Sequence, residues 1–141
     1  MDRSRTMDFL IQHVKPLADF LCVGHYKLTV DCKPLPDGTR AEVELNPTYE
    51  FATILFDADK FKTDDELLDS LHHELCHVVL APIEAYFKFA APHFAEGTPL
   101  AASERSVRIH AEEQIVCNLE RIWRSEMRDV YLDKFTSGKS N

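Results

Sequence analysis

The chain has 141 residues, 45% hydrophobic and 28% charged, enough for one domain with its own core and too few for two ordinary ones. With 24 Asp and Glu against 16 Lys and Arg the formal net charge is −8, which argues against binding a phosphate backbone, so no nucleic-acid partner is expected. No apolar run reaches membrane-spanning length, no signal-peptide core follows the first residues, and Cys22, Cys32, Cys76 and Cys117 form no CxxC pair; a reducing, cytoplasmic setting without a membrane partner is expected.

From Ser4 onward Met7, Leu10, Ile11 and Val14 recur at helical spacing. Pro16 is expected to disturb that helix, leaving Leu17 to Cys22 as a kinked turn or two before Gly24. His25 to Lys33 alternates through Tyr26, Leu28, Val30 and Cys32 as a strand does. The turn cluster Pro34 to Gly38 then predicts a hairpin into a second strand, Thr39 to Leu45. A third strand, Tyr49 to Phe56, is apolar on both faces.

Thr63-Asp64-Asp65-Glu66 reads as a capping box, with acidic residues at the positive end of a helix dipole. Leu67, Leu68, Leu71, Leu75, Val78 and Val79 give the helix a broad apolar face, and Pro82 marks its stop shortly after Leu80. Residues 81–99 read as irregular but aromatic-rich, a covering segment or lid. From Leu100 to Phe135 one long helix is expected, its apolar face formed by Ile109, Ile115, Val116, Leu119, Ile122, Trp123, Met127 and Val130. The domain is therefore residues 1–135, with 136–141 a disordered tail.

Within the capped helix lies His73-Glu74-Leu75-Cys76-His77, an HExxH motif. Residues four apart share a helix face, so His73 and His77 can bind one zinc ion while Glu74 holds a water beside it. His72 and Cys76 point away from that stripe. A third ligand has to come from elsewhere. Glu112 falls in the middle of the apolar face of the last helix, where an unpaired charge is costly and a metal ion removes the cost. Glu113, turned about 100° away, and His93 in the irregular segment are the alternatives.

The order of helix, three strands, HExxH helix and a helix carrying a glutamate resembles the minimal zincin metallopeptidases in their two-His, one-Glu gluzincin form. It is also similar to small HExxH proteins of bacteria and phages; the specific part of the likeness is His73, Glu74 and His77. The metzincin extension is missing, since Val78 to Lys88 contains neither Gly nor His. The resemblance implies an α+β zincin-like fold and a zinc-dependent hydrolase acting on a protein or peptide. It implies Zn²⁺ on His73, His77 and Glu112 (or Glu113), Glu74 as general base, and substrate added to an edge strand, for which Tyr49 to Phe56 is the candidate. The alternative is a zincin-fold regulatory or binding protein without proteolysis.

Overall fold

Asp2 and Thr63 open the helices that carry most of the core. In a computed structural model, which describes residues 1–90 and 96–138, the Asp2 carboxylate accepts from the Arg5 amide and caps α1 (Arg3–Phe20). The helix runs straight through Pro16, where a break was expected. Leu10 before the proline and Leu17 and Ala18 after it are fully buried on one side, and burying each large side chain, at about 1.5–3 kcal/mol, offsets the lost hydrogen bond.

Three strands follow: β1 (Lys27–Cys32), β2 (Ala41–Asn46) and β3 (Phe51–Phe56). Their order is β1-β3-β2, with β3 parallel to β1 and antiparallel to β2. The expected hairpin of the first two strands is therefore replaced by one between β2 and β3. Its turn places Glu50 at φ 51° and lets the Asn46 carboxamide accept from the Tyr49 amide, a local Asx-type bond. The same order overturns the choice of Tyr49 to Phe56 as a substrate-binding edge: β3 is the central strand, already paired on both sides, and β1 and β2 have the free edges. Ala52, Ile54, Leu55 and Phe56 are buried, which explains why both faces of β3 are apolar.

A 3-10 turn (Ala58–Lys60) leads to α2 (Asp64–Val79). The Thr63 hydroxyl accepts from the Glu66 amide, and the Glu66 carboxylate accepts from the amide of Lys62, so the cap forms one residue wider than the usual box. Leu67, Leu71, Leu75 and Val78 are completely buried against α1 and the sheet. After Leu80 the chain restarts at once as α3 (Ala81–Ala90) instead of an irregular stretch; Pro82, which stops α2, sits in the first turn of α3, where its missing N–H has no role.

Thr98 caps α4 (Pro99–Ile122), which passes through a π turn (Trp123–Met127) into α5 (Arg128–Gly138). Residues 136–138, expected in a disordered tail, are helical. The extra residue of the π turn rotates everything after it by about 100°, bringing Tyr131 onto the face of Trp123. Both are buried, with ring centroids 5.8 Å apart. The broad apolar face expected on this element is corrected: Ile109, Ile115, Ile122, Met127 and Val130 are exposed. The stripe turned to α2 is Glu112, Val116, Leu119, Glu120 and Trp123, narrower because a single helix covers it.

The fold is thus α+β, helices around a small three-stranded mixed sheet. Among the described residues no helix is long and apolar enough to cross a membrane.

Candidate metal centre

The paired contacts His77–Glu112, His73–Glu120, Asp69–Arg124 and Asp65–Arg128 advance in opposite directions along α2 and α4–α5, so the two elements lie antiparallel. The HExxH stripe therefore faces a stripe of glutamates. Asp69 locks the register from the far side, accepting from the Trp123 indole N–H at 3.0 Å.

His73 and His77 turn their Nε2 atoms toward each other, 3.3 Å apart. Behind them, His73 Nδ1 lies 3.1 Å from Glu120 Oε1 and His77 Nδ1 lies 2.9 Å from Glu112 Oε1. An ionised carboxylate can only accept, so each Nδ1 donates, and in the neutral ring that leaves the Nε2 lone pair available to a metal. Two such lone pairs can share one cation. Ligand bonds of about 2.0–2.1 Å at a tetrahedral angle place two nitrogens about 3.3 Å apart, so the spacing suits zinc.

Glu113 completes the group. Its Oε1 is 3.6 Å from His77 Nε2, and one ligand atom from each of His73, His77 and Glu113 lies within 4.8 Å of the other two. The two glutamates favoured or considered as third ligand are thus placed differently: Glu113 stands with the Nε2 atoms, and Glu112 stands behind His77 on Nδ1. His93 lies outside the described residues. Glu120, given no role by sequence reasoning, backs His73. Its signal was its spacing: seven residues after Glu113, it returns to within about 20° of that residue's direction on the helix.

Glu74 is 6% exposed and lines the cavity in front of the two histidines. Burial pushes its carboxyl up to about 7; the neighbouring His73 opposes the shift, and the negative charges of Glu113, Glu42 and Glu120 add to it. That cavity, about 340 Å³, lies between the α2–α4 pair and the β2 residues Ala41, Glu42, Val43 and Leu45.

His72 and Cys76 face away, as the helical spacing requires. The His72 ring stacks on Trp123 at 4.3 Å and 12°, with Cys76 Sγ 3.6 Å from its Nε2. Burial drives the Cys76 thiol up to about 12, which makes it a core residue and not a ready nucleophile. Burial likewise drives His72 down to about 4, helped by the positive charges of His73 and Arg124. A histidine whose folded pKa is depressed takes up its proton on unfolding, so its contribution is complete above pH 6.5 and is lost as pH falls toward 4. For the metal-free protein this loss is worth about 3 kcal/mol. Urea unfolding should show His72→Phe gaining stability relative to the parent as pH falls from 7 to 4; a variant with the parent's pH dependence would place the effect elsewhere.

No protein family, no curated protein and no solved structure matches this chain.

Proposed function

We propose that the chain is a zinc-dependent metallopeptidase whose ligands are His73, His77 and Glu113. The observation that supports this reading best is the pair of Nε2 atoms, 3.3 Å apart beside Glu113, each ring held by a carboxylate on its opposite nitrogen. Such carboxylate–histidine pairs hold the ring orientation and raise the basicity of the ligating nitrogen. A zinc ion held there supplies a Lewis acid for a peptide carbonyl and lowers the pKa of bound water toward neutrality.

The chain's own groups do the rest. Glu74 stands at the mouth of the same cavity and takes the proton from the attacking water, then delivers it to the leaving amine. Glu112 and Glu120 hold the two imidazoles by their Nδ1 atoms and keep the rings correctly turned. The free edge of β2 borders the cavity and offers backbone N–H and C=O groups to an extended peptide, taking the place first assigned to the third strand.

The test is cleavage of a mixed peptide pool by chelator-stripped protein before and after one equivalent of zinc. Cleavage only after zinc is the expected result. Zinc binding without cleavage of any peptide would favour a binding protein that keeps the site.

A further inference from the structure

The cavity beside β2 has a charge pattern of its own. Its acidic lining residues are Glu42, Glu74, Glu112 and Glu113, and among the described residues no lysine or arginine lines it. A divalent cation offsets Glu113 and Glu74. Glu42 is left, because its ion-pair partner among the described residues is Lys33, 3.7 Å away with both side chains well exposed. Such an exposed pair is strongly screened and leaves most of the carboxylate's field in place.

A second observation is geometric. Glu74 is more than nine-tenths buried and aimed into the cavity, yet its carboxylate has no hydrogen-bond or ion-pair partner among the described residues. The adjoining cavity of about 570 Å³, on the other side of His73, does contain Arg40 and Arg124. Both are engaged: Arg40 donates to Glu66 and to the Lys60 carbonyl, and Arg124 pairs with Asp69. Negative potential is therefore concentrated on the Glu42–Glu113 side, within walls that focus it. Val43 and Leu45 line the same side, giving apolar surface for the stem of a long cationic side chain.

We infer that the substrate class is a basic peptide, with a lysine or arginine side chain next to the scissile bond lying over Val43 and Leu45 and pairing with Glu42. The inference takes the position of the peptide from the proposed peptidase reading, but it concerns binding and does not require that the peptide is cut.

Zinc-loaded Glu74→Gln protein is titrated with three labelled decapeptides, identical except for Lys, Gln or Glu at the centre, and anisotropy gives Kd. The lysine peptide should bind about ten-fold tighter than the glutamine peptide, with the glutamate peptide weakest. Adding Glu42→Gln, checked for an unchanged melting temperature, should cut that advantage at least about three-fold, as should high salt. Equal affinities, no measurable binding, or a lysine advantage untouched by Glu42→Gln would overturn the inference. Wild-type protein then separates the two ideas. Equal cleavage of all three peptides keeps the peptidase and removes the basic preference, whereas selective binding without cleavage keeps the preference and removes the peptidase.

Discussion

Replacing Glu74 by glutamine is expected to lower kcat against a peptide substrate by about 10²–10⁴-fold, the usual contribution of a positioned general base, while zinc stays bound. The same change is expected to stabilise the metal-free protein. Glu74 has a folded pKa near 7 against an ordinary 4.5, so between those values the folded chain holds a proton that the unfolded chain has released. Stability therefore falls as pH rises from 4.5 to 7 and stays low above it, by up to about 3 kcal/mol. Glutamine mimics the protonated form and removes the loss. His72 acts in nearly the same window with the opposite sign, so in the parent protein the two dependences largely cancel. Chemical denaturation of the metal-free forms should show Glu74→Gln losing stability as pH drops from 6.5 to 4 and His72→Phe gaining stability as pH drops from 7 to 4.5. A Glu74→Gln protein that is both less stable and equally active would remove Glu74 from the chemistry.

The second large effect separates the two neighbouring glutamates. Glu113→Ala is expected to weaken zinc binding roughly 10²–10³-fold, taking about 3–4 kcal/mol per ligand from the ~10–16 kcal/mol of a four-ligand zinc site. Glu112→Gln keeps a carbonyl oxygen for His77 Nδ1 and is expected to cost about 10-fold, the low end for a group that orients a ligand. Competition against a zinc-responsive dye measures both. The reverse order would make Glu112 the ligand and Glu113 a bystander in the cleft.

These two residues also mark where the sequence was legible and where it was not. Local rules carried far: the Thr63 cap, the leucine stripe of α2 and the four-residue spacing of His73 and His77 each depend on neighbours within a turn or two, and each is present in the fold. Strand pairing depends on contacts across the chain, and there the turn cluster Pro34 to Gly38 misled. A strand with Ala52, Ile54 and Phe56 on one face and Leu55 on the other asks for a central place, and that signal pointed to the order β1-β3-β2. On α4 the direction of the apolar average was near enough to pick out Glu112 as facing α2, but a helix face is wide. Whether a carboxylate meets Nδ1 or Nε2 of an imidazole depends on displacements of about one ring width, which periodicity does not resolve. The π turn at Trp123 is equally invisible to a fixed 100° step, and it is what returns Tyr131 to the core after Glu120 has been set against His73.

Zinc-edge X-ray absorption on protein loaded with one equivalent of zinc tests the proposed centre most directly. Two imidazole nitrogens at about 2.0 Å with oxygen donors completing a four-coordinate shell, and loss of that shell in Glu113→Ala, are the expected results. Failure to bind zinc stoichiometrically, or a sulfur-containing shell drawn from Cys76, would contradict a centre built on His73, His77 and Glu113.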